Sequence, residues 1–445
     1  MLLINDVAMT HFYLVLTLLS ALSTYNIYRP IQTHKHGAVF SFLNGWILGE
    51  LALHVMVVQI VGSLLFVWGG AVTGWEGAMG LTLSLASWGG LAFYTVKARE
   101  TASIMRDALN TGLGESYAQD ILPEFSHGLD IPLAQDRLIW PHKGLWSNQV
   151  EVLKNLAYAK GPNYTLRLDI RRNRNFTPRS PVLLQIHGGA WTQGWGSKNE
   201  QGLPLMNHLA EQGWICVSIN YRLSPRATFP EHIIDCKKAL VWVKQHIADY
   251  GGDPNFVVVT GGSAGGHLSA LMAVTENLPA FQPGFEQEDT RVQGCISFYG
   301  IYDFLDENGL QTHRGLHHLL EKSILKVSKR THPDTYRIAS PIHHIHREVS
   351  PFMLIQGDQD SLVSARESAW FAQKLREKSD NPVVYVELPG AQHAFDVFPS
   401  MRSELTLQGI DRFLAWLYSQ YLRQQKDDNQ GEKQSSPQHN PKTAA

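Results

Sequence analysis

The chain has 445 residues, 38 basic and 40 acidic, for a formal net charge of −2. At roughly 150 residues per domain there is room for about three units and a large core, which excludes a small scaffold held by disulfides. The balanced charge, without a Lys/Arg cluster, excludes the electrostatic footprint of a nucleic-acid binder. Charged residues are 18% of the chain, below the roughly 25% usual for soluble domains. The deficit is concentrated, since Glu50 and Glu76 are the only charges from Gly37 to Val96. Cys216, Cys236 and Cys295 have no C-x-x-C spacing and read as small core hydrophobes in a reducing compartment.

A bilayer core of about 30 Å takes about 20 apolar helical residues. His11 to Tyr28, Trp46 to Trp68 and Met79 to Val96 meet that length, so residues 1–97 are expected to form a membrane region of about three spans. A signal peptide needs a basic n-region, whereas Asp6 and no Lys or Arg precede the first segment. Arg29 and Lys35 follow the first span, Glu76 alone lies between the second and third, and Lys97 and Arg99 follow the third. The positive-inside rule then puts the N-terminus outside and everything after Val96 in the cytoplasm. The apolar run from Gly37 to Gly70 exceeds one span, so roughly its first dozen residues are expected to lie in the interface or re-enter, and two short spans there would invert the topology. Glu50 and His54 share a helix face, and we expect Glu50 to bond His54 or to snorkel rather than to form a functional intramembrane pair.

Residues 98–148 read as a linker and lead-in. Ile104, Ala108, Leu109 and Leu113 recur at helical spacing among charges, which fits an amphipathic helix on the membrane surface or packed under the next domain. From 149 to 423, short apolar runs alternate with helical patterns. Strands are expected at Val150 to Ala157, Leu166 to Ile170, Val182 to Ile186, Trp214 to Asn220, Phe256 to Thr260, Gly294 to Phe298, Phe352 to Ile355 and Val383 to Leu388. Helices are expected at Pro204 to Gln212, Pro230 to Tyr250, Gly265 to Val274, Ser364 to Glu377 and Ser403 to Gln424. Such alternation predicts an α/β fold, a mostly parallel eight-stranded sheet covered by helices on both faces. The polar stretch 424–445 is expected to be a disordered tail.

In such sheets chemistry sits at the carboxyl ends of strands. After Phe256 to Val259 comes Gly261-Gly262-Ser263-Ala264-Gly265 and then a helical stripe, the G-x-S-x-G pattern in a strand, turn and helix context. It makes Ser263 the candidate nucleophile, with glycines where the turn leaves no room for side chains. After Val182 to Ile186 comes His187-Gly188-Gly189-Ala190-Trp191, a form of the H-G-G-G loop. We assign an oxyanion hole to the amides of Gly189, Ala190 and Ala264, with Gly188 allowing the tight fold of the loop and His187 anchoring it. Asp360 follows the seventh strand and His393 the eighth. The order Ser, Asp, His is that of α/β-hydrolases rather than of the chymotrypsin or subtilisin types. Asp360 is preferred to Asp358 because it lies further into the turn.

On these residues, 149–423 resembles the α/β-hydrolase fold and its esterase/lipase branch, which includes hormone-sensitive-lipase-like and arylacetamide-deacetylase-like enzymes. The HGGAW loop and the Gly-Gly-Ser-Ala-Gly-Gly-His elbow look closest to prenylcysteine-methylesterase-like and arylformamidase-like carboxylesterases. Asn220-Tyr221-Arg222-Leu223-Ser224-Pro225, Phe229-Pro230 and Gly251-Gly252-Asp253-Pro254 support the resemblance. Ala190 in place of a third loop glycine, and Gly262 where an acidic residue often precedes the serine, leave the substrate open. The resemblance implies a serine carboxylesterase acting through an acyl-enzyme on a small-molecule or lipid ester, with no metal or organic cofactor, and the apolar N-terminal segments add the expectation of a membrane anchor. An amide hydrolase on the same triad and a catalytically dead, membrane-tethered binding module are the rival readings. A helical cap is expected over about 300–350, and its seven histidines, from His313 to His346, are read as cap or surface residues because they lack a known metal-ligand spacing.

Overall fold

The computed structural model describes residues 6–126, 129 and 132–435. Its centre is one sheet of eight strands in the order β1-β2-β4-β3-β5-β6-β7-β8. These are β1 (Val150–Gly161), β2 (Tyr164–Asn173), β3 (Ser180–Ile186), β4 (Ile215–Ile219), β5 (Gly252–Gly262), β6 (Gly294–Phe298), β7 (Phe352–Gly357) and β8 (Val383–Leu388). The β1–β2 and β2–β4 pairs are antiparallel and all later pairs parallel.

Strands covered on both faces read as continuous apolar runs rather than alternating ones, and β4, β6 and β7 are buried at every position. Side chains still divide by the period of two. Val257 and Val259 of β5 join one core and Phe256 and Val258 the other. The helices Glu231–His246, Ala264–Val274 and Ala365–Lys378 cover the first face. The second takes Leu203–Glu211, α5 (Thr101–Leu113) and the final helix Met401–Ser435.

Every expected strand is present. The stretch expected as one helix to Tyr250 ends at His246 and tightens to a 3₁₀ turn at Ile247–Tyr250. The final helix runs on to Ser435, so the tail expected from 424 starts as helix; residues 436–445 lie outside the described residues. Of the two placements open to the amphipathic segment, α5 takes the packed one. Met105 and Leu109 are buried, and a Cβ on Gly112 would stand 2.8 Å from the Val383 carbonyl of β8.

Ahead of the sheet lie α1 (Asp6–Tyr28), α2 (Lys35–Glu50), α3 (Ala52–Trp68) and α4 (Gly74–Lys97). They associate through small and hydroxyl residues, as helices in lipid do: Thr24 Oγ1 bonds Ser87 Oγ at 2.7 Å, and a Cβ on Gly80 would meet the Tyr13 ring at 2.9 Å. Among the described residues, Val7–Tyr28 alone is a continuous helix long and apolar enough to cross a membrane, a property shared by anchors and signal sequences. α2 and α3 pass that test only as one broken span bent by 87°. The three expected spans are thereby reduced, for α4 is long enough but its Gly and Ser positions dilute its hydropathy. The break at Leu51 bends the over-long apolar run, the form of a broken span or of a re-entrant loop.

Candidate active site

The elbow is built by crowding. Ser263 holds φ +58° and ψ −119° between β5 and the helix Ala264–Val274, a conformation that costs energy and persists only when its surroundings fix it. They do: the Ser263 amide donates to the Phe298 carbonyl at 3.0 Å, and its carbonyl accepts from the His267 amide at 2.9 Å. A Cβ on Gly265 would lie 2.1 Å from the Ile186 carbonyl, so only glycine lets the helix start this close to β3.

Ile186 leads into the loop His187-Gly188-Gly189-Ala190-Trp191. Its unusual backbone, with φ of +108° at Gly189, +54° at Ala190 and +56° at Trp191, turns the chain over the elbow. Burial pushes the His187 imidazole down to about 4, so it is neutral, 2.7 Å by Nδ1 from the Gly188 carbonyl and stacked on Tyr221. The Gly188 amide donates to Gln201 Oε1 at 2.5 Å, which leaves it a folding role rather than a place in an oxyanion hole. Gly189 and Ala190 line the cavity that holds Ser263. Ala264 opens its helix, and first-turn amides have no acceptor within their own helix.

The β7 and β8 turns bring the other two candidates together. His393 Nδ1 donates to Asp360 Oδ2 at 2.7 Å, with both side chains buried. Asp360 Oδ1 accepts the amides of Leu362 and Val363 at 2.8 and 2.9 Å, and Gln356 donates to Oδ2 at 3.0 Å. Asp358 instead accepts the Gly390 amide at 2.7 Å. Ser263 and His393 line one cavity of about 550 Å³, within the usual range for small-molecule sites.

Several residues at the site carried no sequence signal. Gln392 Oε1 accepts the amides of Ser361 and His393 at 2.7 and 2.9 Å, tying the two turns together. Tyr299 lies against the His393 ring and donates to Asp396. Least expected is α2: Val39 and Phe42 line the cavity, and Phe42 meets His393 edge-on at 5.8 Å. Only the excess length of the Gly37 to Gly70 run pointed there. In the cap, His313 lines the cavity, while His317 faces Asp306 at 3.5 Å and His346 faces Glu276 at 2.9 Å. Among the described residues no group of three or more His, Cys, Asp or Glu is placed to hold a metal ion.

The BD-FAE family model matches residues 168–375. The chain is 39% identical over 414 residues to the probable carboxylic ester hydrolase LipM of Mycobacterium tuberculosis (strain ATCC 25618 / H37Rv), covering 91% of this chain and 93% of that one. That match is longer than the hydrolase region, so it takes in N-terminal helices as well. Esterase LipQ of the same organism is 42% identical over 274 residues, 61% of this chain and 64% of its own. The butyrate-bound esterase Est2 of Thermogutta terrifontis has a TM-score of 0.51 at 26% identity, covering 60% of this chain and 94% of that one. The chain therefore belongs to the α/β-hydrolase esterase/lipase family, and by class it is a carboxylic ester hydrolase.

Proposed function

We propose that this protein is a membrane-anchored serine carboxylesterase in which Ser263 is the nucleophile, His393 the general base and acid, and Asp360 the group that fixes the imidazole. The observation that carries the reading is the buried 2.7 Å bond from His393 Nδ1 to Asp360, at the edge of the cavity that also holds the strained Ser263. With Nδ1 committed as donor, Nε2 is left as the base. It takes the proton as Ser263 attacks an ester carbonyl and returns it to the departing alcohol; water then repeats the cycle on the acyl-enzyme. The amides of Gly189, Ala190 and Ala264 supply the oxyanion hole, which needs donors fixed before charge develops. Every group the cycle needs is a side chain or amide of this chain.

Anchoring is supported by where apolar surface is left. Phe12, Val15, Leu19 and Leu22 of α1 and Val57, Val58, Leu64 and Leu65 of α3 are exposed, whereas beyond residue 150 the exposed large apolar side chains among the described residues are Trp195 and Ile338. Large apolar side chains left exposed together on neighbouring helices mark a binding or membrane surface. Lys35, Lys97 and Arg99 favour a cytoplasmic hydrolase domain. A fluorophosphonate probe should label the wild-type protein and not Ser263→Ala, and equal labelling would remove the nucleophile from this scheme. Full-length protein should stay with membranes through an alkaline carbonate wash, and a reporter fused after Leu422 should be active in the cytoplasm.

A further inference from the structure

The N-terminal helices do more at this site than tether it. α2 carries three kinds of contact. Its buried side is bonded to the catalytic turns: Ser361 Oγ donates to the Ala38 carbonyl at 2.8 Å, and Gln392, the residue that joins the two turns, lies 3.3 Å from where a Cβ on Gly45 would stand. Val39 and Phe42 face the cavity. Its outer side exposes Phe40, Leu43 and Ile47, continuous in chemistry with the exposed apolar side chains of α1 and α3. The same helix also meets the cap, where a Cβ on Gly315 would stand 3.1 Å from the Lys35 side chain.

We infer that α2 is the substrate-selecting wall of the enzyme: with the cap residues Leu316 and Leu319, Val39 and Phe42 form the seat for a long hydrocarbon acyl chain, and the substrate is an ester dissolved in the bilayer. The inference rests on the triad proposed above and adds its substrate class. A half-helix that is apolar on its outer side and lines the catalytic cavity on its inner side is suited to a chain passing from lipid to Ser263 without crossing water. An ester that arrives through water has no need of such a wall. Leu316 and Leu319, on the cap side of the same cavity, close the seat opposite α2.

The test uses full-length protein in phosphatidylcholine vesicles, with active sites counted by the fluorophosphonate probe. Val39→Phe in α2 and Leu319→Trp in the cap fill the seat from opposite walls. Each should lower the ratio of kcat/KM for a dodecanoyl ester to that for a butanoyl ester by about tenfold or more, the equivalent of losing the burial of about two methylene groups. Dodecanoyl ester should also be hydrolysed faster when it shares vesicles with the enzyme than when it is supplied in separate ones. An unchanged ratio in both variants, or equal rates from shared and separate vesicles, would overturn the inference. If Ser263→Ala is inactive and unlabelled in the same preparation, that failure belongs to α2 alone; if Ser263→Ala is labelled like wild type, it is the triad that falls.

Discussion

The carboxylate of Glu50 and the guanidinium of Arg402, 352 positions apart, form an ion pair in which each side chain is 1% exposed. Ser400 Oγ donates to the other Glu50 oxygen at 2.6 Å, Arg402 donates to the Pro389 carbonyl at 3.2 Å, and the Tyr94 ring lies 5.1 Å from the guanidinium. The pair therefore pins the break between α2 and α3 to the segment that follows His393. Neither His54 bonding nor snorkelling describes Glu50; His54 lies 3.0 Å from the Ile139 carbonyl instead. Removing one member of a buried pair strands the other charge and typically costs about 3–5 kcal/mol. We expect Glu50→Gln and Arg402→Met each to destabilise by about that much, and the double variant to recover much of the loss. Thermal unfolding in detergent reads this, and strictly additive losses would show that the two groups do not act as a pair.

The hydrolase half was legible because its signals are local. Strand periodicity, the glycines of the elbow and the HGGAW loop each report their own backbone, and the turns after β7 and β8 place Asp360 and His393 by topology alone. The N-terminal half was legible only as composition. An apolar run does not say how it bends or what it packs on, and α2 is held at a distance by Arg402, Ser361 and Gln392. Phe42 against His393 is such a case, since the residues between them in sequence give no hint that they meet.

Trp191 joins the loop 187–191 to the elbow helix. Its indole N–H donates to His267 Nδ1 at 3.2 Å, while His267 Nε2 lies 2.8 Å from the Ala339 carbonyl of the cap. Trp191→Phe keeps an aromatic ring but a smaller one; it leaves a buried acceptor without its donor, which costs about 1–3 kcal/mol, and the space left by the indole adds to that loss. We expect a lower midpoint in urea at unchanged m-value, with a loss of activity as Gly189 and Ala190 lose their support. A midpoint equal to wild type would mean that the bond holds nothing.

Burial pushes His187 and His267 down to about 4 and His232 down to about 3. These groups are lowered in the folded chain, so their contribution is fully present above the unfolded value of 6.5 and is lost as pH falls toward 4. The unfolded chain takes up protons there that the native state refuses, at about 1.4 kcal/mol per pH unit for each group. Melting temperature should fall steeply from pH 6.5 to 4.5, and a flat profile across that window would contradict neutral buried imidazoles.

Glu367 works in the opposite sense. Burial raises its carboxyl from 4.5 to about 8 against the pull of the Asp303 and Tyr302 amides, which Oε1 accepts at 2.9 and 2.7 Å. A raised group contributes stability below pH 4.5 and loses it as pH climbs toward 8, because the unfolded state ionises first. Glu367→Gln keeps the accepting oxygen and cannot ionise. We expect the variant to match wild type near pH 4 and to be the more stable of the two at pH 8 by calorimetry. Parallel stability curves for the two proteins would show that Glu367 ionises normally.

Asp358 and Asp360 stand two positions apart in one turn and hold different partners, so substitution separates a positioning role from a structural one. Asp360 accepts from His393 and from two amides of its own turn, while Asp358 accepts the Gly390 amide across to the β8 turn. In Asp360→Asn the amide group offers His393 Nδ1 a donor where it needs an acceptor, which favours the wrong tautomer and removes the base from Nε2. The comparable change in a serine protease triad lowers kcat by about 10⁴-fold with geometry intact. We expect a loss of that order on a butanoyl ester for Asp360→Asn, partly relieved at high pH. Asp358→Asn keeps an oxygen for the Gly390 amide and should change kcat by less than about tenfold, since it costs at most one neutral hydrogen bond. Equal losses from the two substitutions would mean that the His393 partner is not what sets the rate.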